Sequence, residues 1–111
     1  MKRGDLVTIA VSGDYGKPRP ALVVQDDAFA DLSAVTVLRL TSELNDWPLF
    51  RVTVEPNAEN GLGHPSQVMI DRGVALPREK VGPVFGHLDP NTMAAVNVAL
   101  GRFLGLQGAA V

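Results

Sequence analysis

The sequence predicts a mainly β protein, a small and partly open barrel of five to seven strands closed by one C-terminal α-helix. Two observations predict this class. Short runs of β-branched and aliphatic residues with a period of two recur along the chain, separated by turn residues. Helical periodicity appears only from Asp89 onward. The 111 residues, 46% apolar and 20% charged, suffice for one core and are too few for two, so residues 1–111 are expected to form a single domain.

Three strands are predicted in the first part of the chain. Residues 6–11 are rich in strand-forming side chains and run into the turn at Ser12-Gly13. Residues 21–25 are a continuous apolar run of the kind that is buried on both faces of a sheet. Residues 34–40 alternate with a period of two, so their odd and even positions are expected on opposite faces.

Two more strands are predicted before the helix. Residues 50–54 alternate in the same way, and residues 67–70 form a short β segment that is expected to end at Asp71-Arg72-Gly73. The stretches 41–49 and 55–66 are rich in Asn, Pro, Gly and Glu and are expected to be loops. Five strands are thus assigned, and the range of five to seven leaves room for others.

The helix has clear start and stop signals. Asp89 is a good N-cap, Pro90 suits the first helical position, and Gly105 ends the pattern. Alanines inside the segment support the helix by propensity. The apolar positions that recur at helical spacing are Met93, Val96, Leu100, Phe103 and Leu104.

Composition narrows the function classes. A net charge of −2 argues against a surface that binds nucleic acid all over, although a local basic groove is compatible with it. The absence of cysteine removes disulfides and thiolate chemistry and fits a reducing cytoplasm. No segment has the apolar length of a membrane span, and no nucleotide-binding or zinc motif is present. We therefore expect a cytoplasmic protein without cofactor, metal or membrane partner.

Arg19 stands between two prolines at the start of the second predicted strand. Pro18 and Pro20 fix φ on either side, and Pro20 also favours extended geometry at Arg19, so the guanidinium is carried on a stiff backbone. Such stiffness is useful in a binding or catalytic site. The alternative is a surface ion pair between Arg19 and Asp14 or Asp5.

Polar groups near Arg19 in the sequence point to RNA. Lys17 is a phosphate partner and Tyr15 a ring on which a base can stack, so with Arg19 they suggest a small contact surface for single-stranded RNA. Thr41 and Ser42 follow the third strand, where their hydroxyls either point into the same groove or cap the strand end.

Trp47 is the only tryptophan of the chain and lies in a turn, Asn45-Asp46-Trp47-Pro48. A large aromatic side chain in a turn can cover the end of a barrel as a hydrophobic lid. It can equally serve as a stacking platform or as an anchor for a partner. The sequence leaves both roles open.

Several segments together resemble the MazF/PemK toxins of bacterial toxin–antitoxin systems over nearly the whole chain. The most specific are the Arg-Pro entry into the second strand and the His-Leu-Asp helix start. The segments that carry the resemblance are Arg3-Gly4-Asp5, residues 17–25, Leu40-Thr41-Ser42, Gly86-His87-Leu88-Asp89, Met93, Val96, Asn97, Leu100 and Leu104-Gly105-Leu106.

The resemblance implies an SH3-like barrel, a homodimer, and a metal-independent endoribonuclease that cuts single-stranded RNA at short sequence motifs. It also implies a cognate antitoxin whose flexible tail occupies the RNA groove. The family's functional Arg and Thr fall on Arg19 and Thr41. Arg19 is expected to stabilise charge on the phosphorane and Thr41 to position an oxygen. The residues expected to contact RNA are Lys17, Tyr15, Ser42 and Gln67.

One segment departs from the ribonuclease pattern. Residues 66–71 are mostly apolar, which leaves the general base open, and the spacing through residue 82 is closer to the CcdB gyrase poisons. The Trp-Gly-Ile ending of those poisons is replaced here by Phe103-Leu104-Gly105-Leu106. Two alternatives to a ribonuclease therefore stay open. They are a non-enzymatic toxin that binds gyrase, and a catalytically inactive antitoxin-binding module.

Overall fold

The computed structural model describes residues 1–10 and 17–106. Six antiparallel strands form one sheet, and one helix follows them. No helix within the described ranges has the length and apolar character needed to cross a membrane. The elements are β1 (Asp5–Ile9), β2 (Arg19–Val23), β3 (Ala34–Thr41), β4 (Arg51–Val54), β5 (Ser66–Pro77), β6 (Val81–His87) and α1 (Pro90–Phe103).

The sheet order β4-β5-β3-β2-β1-β6 confirms the predicted mainly β fold, and six strands lie within the predicted range of five to seven. The apolar side chains separate into two clusters on opposite faces of the central strands. Leu22 of β2 packs in one cluster, while Ala21 and Val23 pack in the other. This confirms that the apolar run at residues 21–25 contains a strand buried on both faces.

Two strand boundaries differ from the predicted ones at the same end of the sheet. β1 ends at Ile9, and β2 begins at Arg19, two residues before the predicted start. The reason is that Arg19 and Pro20 pair with β1, opposite Ile9 and Thr8. Pairing of β2 with β3 begins only at Ala21, so Pro20 lies where its strand has a single neighbour. A proline, which has no N–H to donate, is tolerated at such a position.

The prediction that the strand at residues 67–70 ends at Asp71-Arg72-Gly73 was wrong. β5 continues to Pro77, and its pairing with β3 shifts between Leu38 and Leu40. Leu38 pairs with Gly73 and Leu40 with Val68, so Arg39 faces a long bulge in β5. The polar triplet is therefore a bend inside one strand, which lets the sheet curve over its core.

β6 was not assigned from the sequence because Gly82, Pro83 and Gly86 interrupt its pattern. It is an edge strand, where proline is acceptable. The loop between β4 and β5 covers it, because the His87 N–H donates to the Glu59 carbonyl at 3.0 Å. A Cβ on Gly86 would lie 2.3 Å from the Asn60 carbonyl oxygen, so only glycine allows this close approach.

Helix α1 begins and ends as predicted. The Asp89 side chain accepts a hydrogen bond from the Thr92 N–H, Pro90 opens the helix, and Gly105 adopts a φ of 71° after its end. Val96 is buried against the sheet. Phe103 and Leu104 continue the helical spacing but are exposed.

Candidate active-site cleft

A cleft of about 530 Å³ opens where β2 and β3 stop pairing. Beyond Ala21 and Arg39 the two strands are no longer joined, whereas the pairing of β3 with β5 continues to Thr41. The backbone that parts is Arg19-Pro20 on one side and Leu40-Thr41 on the other. The Arg-Pro pair of the sequence thus forms part of the cleft wall.

Arg19 and Thr41 both line this cleft. Extending the β2–β3 register by two residues from the Ala21–Arg39 pair places Arg19 opposite Thr41. Arg19 is exposed at the first position of β2 and is followed by the rigid Pro20. The structure therefore brings together the two residues that were expected to be catalytic.

The Thr41 hydroxyl has a defined role in the backbone. Its oxygen accepts a hydrogen bond from the Glu43 N–H at 3.0 Å. A hydroxyl also has one O–H donor, which that bond does not use. Thr41 is thus oriented at the cleft wall with a proton to donate to an oxygen in the cleft. Ser42 follows it and lines the same cleft.

Two titratable side chains in the cleft were not identified from the sequence. His64 lies on the loop before β5, and Glu43 lies just beyond β3; both line the cleft. The Ser66 hydroxyl donates to the His64 carbonyl oxygen at 2.9 Å, which fixes the backbone that carries the imidazole. His64 is an isolated histidine in a loop sequence, so nothing in its local pattern pointed to this site.

Gln67, which was expected to contact RNA, is 5% exposed and holds a loop. Its Oε1 accepts from the Asn45 N–H at 3.0 Å. Its Nε2 donates to the Asn45 carbonyl at 2.9 Å and to the Thr53 hydroxyl at 3.1 Å. The amide therefore clamps the loop after β3 to β5, and Gln67 does not line the cleft among the described residues.

The remaining expected RNA contacts lie before β2. Lys17 is exposed two residues before Arg19 and is not among the described residues that line the cleft. Tyr15 lies outside the described residues. The structure therefore groups Arg19, Thr41 and Ser42, and it places Lys17 beside rather than within that group.

A second cleft of about 310 Å³ adjoins the first and shares Arg39, Thr41, Glu43 and Met69 with it. Trp47 lines this second cleft, and the sequence had left its role open. The indole stacks on Phe50 with ring centroids 5.4 Å apart and an interplanar angle of 20°. The indole remains 44% exposed.

Ligands for a metal ion are scarce around these clefts. Within residues 1–10 and 17–106, no group of three or more His, Asp or Glu side chains is placed to hold an ion. The Asp26 carboxylate accepts a hydrogen bond from the Ala28 N–H at 2.9 Å. The polar chemistry of the site is that of guanidinium, hydroxyl, imidazole and carboxylate groups.

Comparisons with known proteins agree with this geometry. The model of the PemK-like, MazF-like toxins of type II toxin–antitoxin systems matches residues 2–104. A probable endoribonuclease MazF of Mycolicibacterium smegmatis is 41% identical over 109 residues, which is 97% of this chain and 100% of that protein. A mycobacterial endoribonuclease in complex with its cognate antitoxin superposes with a TM-score of 0.82 at 26% identity, covering 96% of each chain.

The toxin MazF-mt6 of Mycobacterium tuberculosis superposes with a TM-score of 0.78 at 25% identity, over 91% of this chain and 96% of that one. The match extends across the strands that build the cleft and the helix that follows them. The resemblance first indicated by the Arg-Pro strand entry and the helix start is thereby confirmed, and the chain belongs to the PemK-like, MazF-like family of type II toxins.

Proposed function

We propose that this protein is the toxin of a type II toxin–antitoxin pair and acts as a metal-independent endoribonuclease on single-stranded RNA, including mRNA. The observation that carries the proposal is the cleft in which Arg19 and Thr41 meet. The relatives support it, since both the curated relative and the structure solved with its antitoxin are named endoribonucleases. They favour a ribonuclease over the gyrase-binding alternative.

Cleavage without metal uses the neighbouring 2′-hydroxyl of RNA as the nucleophile. The 2′ oxygen gives up its proton and bonds to phosphorus, while the bond from phosphorus to the 5′ oxygen breaks and that oxygen takes a proton. The products are a 2′,3′-cyclic phosphate and a 5′-hydroxyl. The protein must therefore accept one proton, donate another and stabilise charge on the phosphorane oxygens.

Arg19 suits the charge-stabilising role. A guanidinium stays protonated and presents two parallel N–H groups to a phosphate. The rigid Pro20 and pairing with Ile9 of β1 hold its backbone before substrate arrives. The Thr41 O–H, which the hydrogen bond from the Glu43 N–H leaves unused, donates to a second oxygen of the same phosphate.

His64 and Glu43 supply the proton transfers in this proposal. Both line the cleft with Arg19 and Thr41. Imidazole is the side chain that both accepts and donates a proton near neutral pH, so His64 is the first choice for the general base. Glu43 is the alternative, since its backbone is fixed by the Thr41 hydroxyl at 3.0 Å.

We further propose that the protein is a homodimer, binds a cognate antitoxin and acts in the cytoplasm. A homodimer fits the exposed apolar residues of β6 and of the end of α1, including Val84, Phe85, Phe103 and Leu104. A cognate antitoxin fits the mycobacterial relative solved with one. An RNA substrate and a chain without cysteine both fit the cytoplasm.

The test is cleavage of a long, mixed-sequence single-stranded RNA in excess EDTA, with the cut ends mapped. The wild-type protein is expected to give discrete cuts that end in cyclic phosphate. Arg19→Ala is expected to lower kcat roughly 100- to 1000-fold, as for other lost stabilising donors. Thr41→Val is expected to lower it less and Thr41→Ser to restore it. His64→Gln and Glu43→Gln identify which group accepts the proton.

Arg102→Ala is the matched control, because Arg102 is exposed on the helix and does not line either cleft. Full activity in Arg19→Ala would overturn the mechanism. If purified wild-type protein, shown to be folded by circular dichroism, cuts no RNA, the proposed activity is wrong, and gyrase supercoiling and antitoxin binding become the assays to run.

A further inference from the structure

We propose that the second cleft, lined by Trp47, is a nucleotide subsite that binds the RNA beside the cleaved phosphate by stacking one base on the indole. The inference rests on the proposed ribonuclease function and adds a residue set that the family resemblance did not indicate. It is carried by the composition of the second cleft and by its continuity with the first.

The second cleft is continuous with the first. The two clefts share Arg39, Thr41, Glu43 and Met69, so Thr41 stands at the boundary between them. A phosphate held by Thr41 in the first cleft therefore has its next nucleotide at the mouth of the second. A strand of RNA that enters the first cleft has a direct path along the second.

The aromatic group in the second cleft is held rigidly. Trp47 stacks on Phe50, and the Arg51 guanidinium lies 5.0 Å from the Trp47 ring centroid and 5.6 Å from that of Phe50. Such cation–π contacts orient a ring without covering it completely. Because 44% of Trp47 remains exposed, the indole is accessible to a nucleic acid base.

The loop that carries Trp47 is also fixed from within. Gln67 binds both the N–H and the carbonyl of Asn45, two residues before the indole. The Trp47 carbonyl accepts from the Phe50 and Arg51 N–H groups at 3.1 and 3.0 Å. The stacking surface is thus positioned before a ligand arrives, which reduces the entropy cost of binding.

The charges in the second cleft fit RNA. Arg72 lines it with a side chain that is 60% exposed and lies 3.7 Å from the Asp71 carboxylate, a surface pair that is weak in water. Arg72 is therefore available to a phosphate. Glu43 and Asn45 add acceptors and donors at the same cleft, which are the groups that recognise the edges of unpaired bases.

An acidic peptide is the competing occupant, since it would also meet these arginines. The stacking surface favours RNA, because successive bases stack on aromatic side chains and a peptide carboxylate gains nothing from the face of an indole. The experiment separates the two occupants.

Trp47 is the only tryptophan, so its fluorescence reports on this cleft alone. The probe is a ten-nucleotide 2′-O-methyl RNA of mixed sequence, which has no free 2′-hydroxyl and stays intact. We expect this RNA to quench the tryptophan signal with a saturable dependence on concentration. Poly-glutamate of the same charge is expected to quench little. Equal quenching by poly-glutamate would assign the cleft to acidic peptides and overturn the inference.

Variants are compared by the anisotropy of the same RNA carrying a fluorescent label. Trp47→Ala is expected to weaken binding roughly five- to 150-fold, the range for one lost base stack, and Trp47→Phe to restore most of it. Arg72→Ala leaves the loop intact and is expected to flatten the slope of log affinity against log salt by about 0.7, the value for one phosphate contact on a single strand. Arg102→Ala is the control.

Two failures are distinguishable. A wild-type protein that cleaves RNA, with affinity, salt slope and cut motif unchanged in both Trp47→Ala and Arg72→Ala, contradicts the subsite and leaves the ribonuclease intact. A wild-type protein that cleaves no RNA but binds the 2′-O-methyl probe through Trp47 contradicts the ribonuclease and leaves a single-strand binding cleft.

Discussion

The buried polar side chains of the β4–β5 region have a different role from the polar side chains that line the open cleft. Asn60 and Gln67 are 1% and 5% exposed, and their amides are hydrogen-bonded to backbone groups of the loops around them. Arg19 and Thr41 instead line an open cleft a short distance along the sheet. The first pair holds the loops in place, and the second pair meets whatever enters the cleft.

Substitutions of these two kinds of side chain are expected to change two different quantities. Removing an amide from inside a loop leaves buried backbone groups without partners, so the effect is seen in the free energy of unfolding. Removing a group from the cleft wall leaves the fold intact, so the effect is seen in kcat.

Asn60→Ala is expected to lower the free energy of unfolding by roughly 2–4 kcal/mol, because buried backbone groups lose their partners. The Asn60 amide oxygen accepts from the N–H groups of Asn57 and Leu62, both at 3.0 Å, and its nitrogen donates to the Glu55 carbonyl at 2.9 Å. Urea denaturation measures the change.

Asn91→Ala, an exposed change on the helix, is the control for Asn60→Ala. If Asn60→Ala and Asn91→Ala unfold at the same urea concentration, the β4–β5 loop is not held by its buried amide. In that case the expected difference between loop-holding and cleft-lining side chains is wrong for Asn60, for which the largest effect on stability is expected.

Gln67→Ala is expected to cost less, roughly 1–2 kcal/mol, because the loop at Asn45 lies near solvent and water can replace part of what is lost. This variant distinguishes a clamp from a direct contact, since the sequence had suggested that Gln67 contacts RNA directly. A direct contact would weaken RNA binding with unchanged unfolding. A clamp lowers stability and weakens RNA binding together, because it holds the loop that carries Trp47. Ser42→Ala, a change in the wall of the first cleft, is the control.

The strand pattern could be predicted because most strands keep one periodic apolar face. Residues 34–40 alternate, and the helix from Pro90 carries both its cap and its stop signal. The bulge at Asp71-Arg72-Gly73 could not be predicted, since the same triplet is a common turn signal. Whether this triplet instead forms a bend inside β5 depends on pairing with β3, which lies far away in the sequence.

Part of the candidate site could also be predicted from local sequence features. Arg19 and Thr41 stand next to strand ends and were found from local rigidity and from the family resemblance. His64 and Glu43 lie in loops, and their place in the cleft depends on how β5 and the β4–β5 loop fold back. The hydrogen bonds of Gln67 to the Asn45 backbone were not indicated by the local sequence.

Asp89→Ala has the smallest expected effect and tests a polar group that is fully exposed. The Thr92 hydroxyl hydrogen bond, followed by backbone N–H bonds, lowers the pKa of Asp89 below its usual 3.8. A lowered carboxyl pKa in the folded state means that Asp89 stabilises the fold fully above pH 3.8, and that this contribution is lost as the pH falls through the folded pKa.

The Tm of Asp89→Ala is therefore expected to lie below that of the wild type at neutral pH, with the gap closing as the pH falls below 3.8. Asp31→Ala removes an exposed carboxylate that lies outside α1 and is the matched control. A gap that persists unchanged at low pH would mean that the Asp89 charge is not what matters. The helix would then begin through Pro90 and the packing of Val96.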